Sequence, residues 1–265
     1  MVSGLATTSS NKIDKKFDSL RRAGKKALVC YVTAGHPDRN RSIELMQGLE
    51  HEGADVLEVG VPFSDPIADG PVIQLSSQEA LAAGMSLSGA LDLVRDARLE
   101  IPVVLFTYLN PLIAAGPDVL ADAHDAGVNG VLVTDLPVGA DGEREAWLGA
   151  SDLAFIRLVA PTTPLERMKE IARNGSGFVY LISRLGVTGE GSDLAADLPD
   201  TAARLRSATQ LPVCVGFGVS TPAHARAAAS VADGIVVGSA IVRAASQRVA
   251  DALILARSLR TALDN

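Results

Sequence analysis

Eight short apolar runs, separated by amphipathic stretches with no shift in composition, predict one (β/α)8 barrel for these 265 residues. Three observations carry this. The runs are nearly continuous in Val, Ile and Leu, as in parallel strands covered on both faces. They recur about every 20 to 40 residues, the length of a strand, a helix and two loops. And "TAGHPD" follows the first run, where an open dinucleotide-binding sheet would carry its glycine fingerprint.

Taken in order, strands are expected at Ala27–Thr33, Asp55–Val61, Val103–Tyr108, Gly130–Asp135, Ala154–Ala160, Phe178–Ser183, Val213–Gly218 and Gly234–Ser239. Between them "NRSIELMQGLEHEG", "LSGALDLVRDARLE", "DVLADAHDAG" and "TPLERMKEIARNG" read as helices. Several open on Ser, Thr, Asp or Asn and close on Gly, as capped helices do. Thr163-Pro164 and Thr221-Pro222 place proline in a first helical turn. An extra helix over Lys12–Arg22 is expected ahead of the first strand. Residues 1–10 are polar and are expected to form a flexible end, with 11–265 a single TIM-barrel catalytic domain.

With 48% hydrophobic and 21% charged residues the chain can bury a large core, which excludes disorder. A net charge of −7 and 4% aromatics argue against a nucleic-acid partner. Cys30 and Cys214 lie far apart inside apolar runs, which fits a reducing compartment better than a disulfide framework. "MVSGLATTSSNKIDKKF" has no apolar signal core, and no run reaches the ~18 apolar residues of a membrane span. A cytoplasmic protein without a membrane partner is expected.

In such barrels chemistry sits at the C-terminal ends of the strands. "LEVGVPFSDPIADGP" (57–71) interrupts an apolar strand with Glu58 and sets two aspartates in the following loop. Leu57 and Val59 suit the helix-facing side, so Glu58 should point into the barrel. The structural alternative is a Glu paired to a buried base, for which Arg157 in the fifth run is the candidate. Left unpaired, Glu58 should hold its proton to unusually high pH and serve as a general acid and base. Asp69 lies where it can curl over the barrel mouth, whereas Asp65, before Pro66, also reads as a turn former.

"GFG" (216–218) and "GSA" (238–240) end the last two runs, where backbone N–H groups can hold a phosphate or simply turn the chain. The glycine-rich "SRLGVTGEGSD" (183–193) reads as a lid or a long surface loop. None of the six lysines falls at a strand's C-terminal end, which argues against a Schiff base. His36, His51, His124 and His224 form no metal-spaced set and read as surface or capping residues, so no metal site is expected. Carboxylate acid–base chemistry on a small phosphorylated substrate remains.

"LEVGVPFSDPIADGPVIQ", "YLISRLGVTG", "GFGVS" and "GSAIV" resemble the signature segments of the tryptophan synthase alpha chain family along nearly the whole chain. The resemblance implies retro-aldol cleavage of indole-3-glycerol phosphate to indole and glyceraldehyde 3-phosphate. It makes Glu58 the acid that protonates indole C3, Asp69 the partner of the indole N–H, and Tyr180 a positioning group. It places the phosphate at Gly189, Gly218, Gly238 and Ser239, and the indole among Tyr31, Phe106, Leu132 and Phe217. Arg184 and Thr188 belong to the lid, Thr188 reaching Asp69 on closure, and Leu185 carries no role. It further implies no cofactor in this chain, and a beta chain that holds pyridoxal phosphate and receives indole in an αββα complex. Pro62, Asp65, Pro66 and Asn110, with the segment near Tyr108 and Pro111, would face that partner. The alternatives left open are a stand-alone indole-releasing lyase, another phosphosugar-barrel isomerase, and a regulatory barrel subunit without catalysis.

Overall fold

The computed structural model describes residues 11–182, 197–216 and 218–265. In chain order the elements are α1 (Lys12–Arg22), β1 (Ala27–Thr33), α2 (Arg39–His51), β2 (Val56–Gly60), α3 (Pro71–Ala82), α4 (Leu87–Ala97) and β3 (Val103–Thr107). Next come α5 (Leu109–Ala115), α6 (Val119–Asp125), β4 (Gly130–Val133), α7 (Gly142–Gly149), β5 (Ala154–Val159), α8 (Leu165–Arg173) and β6 (Val179–Ile182). The chain finishes with α9 (Leu198–Ala208), β7 (Val213–Gly216), α10 (Pro222–Ala229), β8 (Gly234–Val237), α11 (Ser239–Gln247) and α12 (Val249–Asp264). The strands are all parallel and close in sequence order, β1 pairing with both β2 and β8. The expected TIM barrel and its preceding helix are therefore present.

Most strands are shorter than expected at their C-terminal ends, because the apolar run there turns out of the sheet to build the mouth. Helix ends follow local chemistry. Asp38, Ser86, Asp141 and Thr221 each accept a backbone N–H at the start of α2, α4, α7 and α10. Gly24, Gly53, Gly84 and Gly127, just past α1, α2, α3 and α6, all have positive φ. Pro222 is in the first turn as expected. Pro164 is instead the cap residue of α8 and makes no side-chain cap bond, while Thr163 Oγ1 accepts from Ala160 N at 3.2 Å.

Two apolar layers result from strand alternation. Leu57, Val59, Phe155, Val159 and their equivalents face the helices, while Val29, Tyr31, Val104, Phe106, Leu132, Ile156 and Tyr180 fill the barrel. The lower end is closed by α1. Its Ile13, Phe17 and Leu20, spaced for one helix face, join the interior layer, and the Phe17 and Phe178 rings lie 5.5 Å apart. Asn11 pins the helix there, accepting from Ile13 N at 2.9 Å and donating to Asn129 O at 2.9 Å. Burying Ile13 and Phe17 contributes roughly 1.5–3 kcal/mol each.

Arg157 is not a partner for Glu58. It alternates with Ile156 and so points outward, where its guanidinium stacks 3.7 Å from the Phe155 ring centroid. It donates to Glu145 Oε2 at 2.8 Å, Asn174 O at 2.9 Å and Leu136 O at 3.2 Å. Removing this buried hub leaves a carboxylate and two carbonyls short of a donor. Arg157→Ala is expected to cost about 3 kcal/mol, and Arg95→Ala, which loses only an exposed pair with Asp92, less than about 0.5 kcal/mol. Urea unfolding of both variants checks this; equal midpoints would contradict the assignment.

Candidate active site

Glu58 occupies the middle of β2, level with Tyr31 on β1 and Val104 on β3. With Leu57 and Val59 committed to the helix layer, its side chain is inside the barrel and 1% exposed. Its Oε1 has no hydrogen-bond partner. Burial pushes the carboxyl up to about 8, and among the described residues no cation offsets the lost hydration. At neutral pH Glu58 is thus a carboxylic acid inside the apolar barrel.

Around it the barrel carries aromatic rings made possible by two glycines. A Cβ on Gly60 would overlap the Tyr31 hydroxyl, and one on Gly216 would overlap the Tyr180 hydroxyl. Both tyrosines, each at least nine-tenths buried, lie across the mouth over these bare strand ends. Tyr31 meets Phe106 edge-on at 5.3 Å and 83°, and Leu132 lies beside Phe106 on the next strand. Burial, with Glu58 the leading charged neighbour, holds the Tyr180 phenol well above its ordinary pKa.

Asp69 ends the loop after β2, immediately before Gly70, the cap of α3. It is 9% exposed, and the loop turns back on itself through Asp69 N to Pro66 O at 3.0 Å. Its Oδ2 accepts the Tyr108 phenol at 2.9 Å, and Tyr108 Oη in turn accepts Ala68 N at 3.0 Å. Burial raises the Asp69 carboxyl to about 6, with the Tyr108 hydrogen bond opposing the rise. Two carboxyl groups of one strand–loop unit therefore differ in state at neutral pH, one protonated and one ionised.

The far side of the mouth ends in a helix start without a side-chain cap. Gly238 caps α11 without a side chain, so the first N–H groups of the helix, beginning at Ser239, are not taken by a side-chain cap. Tyr31 packs on Gly238, joining this helix start to the wall around Glu58. Gly218, two residues past the end of β7, has φ +102°.

Several expected residues are placed differently. Tyr108 is 2% exposed and holds Asp69, so it is not a partner-facing residue. Pro62 is also buried, since the apolar β2 run continues over the rim, whereas Asp65 and Asn110 are exposed and Pro66 is half-buried. Asp65 accepts from Ser64 Oγ at 2.6 Å and stays outside the mouth. His36 is buried and not a surface or capping histidine. The role of Tyr108 was missed, although a tyrosine at the end of β3 meets the strand-end criterion. Arg184, Leu185, Thr188, Gly189 and Phe217 lie outside the described residues, as does the 1–10 end. Among the described residues no three His, Cys, Asp or Glu side chains gather as metal ligands.

Comparison with known proteins bears on which such barrel this is. The family model described as tryptophan synthase alpha chain matches residues 17–262. The tryptophan synthase alpha chain of Desulfatibacillum aliphaticivorans is 50% identical over 234 residues, 87% of this chain and 88% of its own length. That of Geotalea daltonii is 48% identical over 235 residues, 88% of this chain and 89% of its own. The crystal structure of tryptophan synthase subunit alpha from Legionella pneumophila str. Paris superposes with a TM-score of 0.86 at 35% identity, covering 97% of this chain and 100% of that one. On sequence match and fold together, this chain belongs to the tryptophan synthase alpha chain family.

Proposed function

We propose that the chain performs the alpha reaction of its family through Glu58 and Asp69, splitting indole-3-glycerol phosphate into indole and glyceraldehyde 3-phosphate. The observation that carries the reading is the buried carboxyl of Glu58, whose Oε1 has no hydrogen-bond partner and which is still protonated near neutral pH. Cleaving a carbon–carbon bond this way needs an electron sink. With its proton delivered to indole C3, Glu58 turns the ring itself into that sink, a cation centred on nitrogen. Ionised Asp69 accepts the N–H and stabilises the positive charge. Glu58, now a carboxylate, then takes the proton of the hydroxyl next to the scissile bond. The bond electrons return to the ring, the aldehyde leaves, and Glu58 ends protonated as it began.

In this reading Tyr31, Phe106 and Leu132 sandwich the indole, with Phe217, and Tyr180 orients Glu58. The phosphate rests on Gly218, Gly238 and Ser239, with Gly189. Arg184 and Thr188 act from the segment after β6. The chain is expected to work in the cytoplasm, without a cofactor of its own, as one catalytic domain over 11–265. Its partner is the family's pyridoxal-phosphate-bearing beta chain in an αββα assembly. Ile67, 80% exposed beside Asp65, with exposed Ile113 near Asn110, offers apolar area for it on the rim of the mouth.

Indole release from indole-3-glycerol phosphate, with and without a beta chain, tests the whole reading. Slow release alone and faster release with the partner are expected; full activity alone would identify a stand-alone lyase. Glu58→Gln should abolish release while the far-ultraviolet spectrum stays unchanged, and an active variant would overturn the assignment. Because the folded pKa of Glu58 lies above its ordinary value of 4.5, its contribution to stability is complete below about 4.5 and is lost as pH rises through about 8. Glu58→Gln should therefore lose less melting temperature than the parent between pH 5 and pH 8.

Activity needs Glu58 protonated and Asp69 ionised, so kcat/KM should form a bell with limbs near 6 and 8. Tyr108→Phe removes the bond that favours ionised Asp69. Its acid limb should move to higher pH while the alkaline limb stays; an unmoved acid limb would remove Tyr108 from the site.

A further inference from the structure

One buried ionisable group near the mouth has no part in this chemistry. His36, in the loop between β1 and α2, is 4% exposed. Its Nε2 lies 2.8 Å from Ser246 Oγ on α11, and its Nδ1 lies 3.2 Å from Glu79 Oε2 on α3. Nδ1 nevertheless makes no hydrogen bond. The loop is held from behind by His36 N to Thr33 O at 3.1 Å and Gly35 N to Ser42 Oγ at 3.2 Å.

Counting protons assigns the tautomer. Ser246 Oγ gives its single proton to Val242 O at 2.8 Å, so towards His36 it only accepts. Nε2 must then be the donor. In the neutral ring Nδ1 is left as a lone pair facing a carboxylate, acceptor against acceptor. A second proton on Nδ1 turns the 3.2 Å approach to Glu79 into an ion pair, though not an aligned hydrogen bond.

The two helices concerned are the ones that carry the site. Asp69 lies two residues before the start of α3, and α11 starts at Ser239 on the proposed phosphate end. The helices α3 and α11 also pack on each other. Ser246 is seven residues into α11, and Glu79 is eight into α3.

We propose that His36 is a positioning residue: its Nε2–H ties the loop after β1 to α11, and protonation at Nδ1 adds a tie to α3 through Glu79. The tie stands on the geometry alone, and its effect on catalysis rests on the active site proposed above. Burial holds the imidazole below its ordinary pKa of 6.5, with Glu79 pulling upward, so the ring is neutral at physiological pH. Among the described residues Glu79 is the one charged group acting on it; α11 presents Ser246. Since the folded pKa is depressed, the stability due to neutral His36 is present above 6.5 and is lost as pH falls through the folded value. Glu79 limits that loss.

Ring ¹⁵N and ¹³C NMR of the intact chain tests the tie, with His36→Gln assigning the signal against His51, His124 and His224. The Nε2–H tautomer should dominate above pH 8. Glu79→Gln, at a half-exposed position, should lower the His36 midpoint by about half a pH unit, roughly threefold in proton affinity. Ser246→Ala should let the Nδ1–H tautomer appear. A dominant Nδ1–H tautomer in the parent, or an unmoved midpoint in Glu79→Gln, would overturn the proposal. In the indole-release assay Ser246→Ala and His36→Gln should raise KM several-fold, with kcat within about twofold and the alkaline limb in place. An unchanged KM in variants whose NMR reports the tie broken would equally overturn it. Absence of indole release from the parent chain with its partner would refute the active-site reading instead, and the NMR outcomes would still decide the tie.

Discussion

The rest of the structure is organised around one uncompensated burial, the carboxyl of Glu58. A charge there would have to be stripped of water with no cation near it among the described residues, so the group keeps its proton up to about 8. This works only while the group stays buried. The α1 plug seals the lower end with Ile13, Phe17 and Leu20. Tyr31, Phe106 and Tyr180 narrow the upper end, and Gly60 and Gly216 make room for the two phenols. The packing that stabilises the fold is thereby what sets the acidity of Glu58.

Asp69 is the counterpoint, a carboxylate a few residues along the same chain with a different fate. It sits at the rim, where one phenol donates to it, and its pKa rises only to about 6. Tyr108 supplies that donor from β3 and at the same time fastens Ala68 of the same loop. One buried side chain thus shapes the loop and biases the charge of the group the loop presents. Asp65, four residues earlier in the same loop, is exposed, and its carboxylate accepts only from Ser64 Oγ among the described residues.

Much of this was legible from the residue order. Near-continuous Val/Ile/Leu runs and polar caps predicted eight strands and the helix over Lys12–Arg22, because burial on both faces and unsatisfied helix ends are local demands. The inward aim of Glu58 followed from its flanking Leu57 and Val59. Strand ends were overread, since an apolar run that leaves the sheet to line a mouth looks no different from one that stays in it. Arg157 was misplaced as a possible partner for Glu58 because alternation has to be counted from a register that the run alone does not supply.

By itself, then, the sequence determined the barrel, the interior position of Glu58 and the glycine-bearing ends of the last two strands, all properties of local pattern and chain spacing. Only the tertiary structure decided which groups meet across it: Tyr108 with Asp69 over 39 residues, and His36 with Ser246 over 210. Such pairs leave no periodic trace, because closing a barrel brings together side chains whose separation along the chain carries no information about their distance in space.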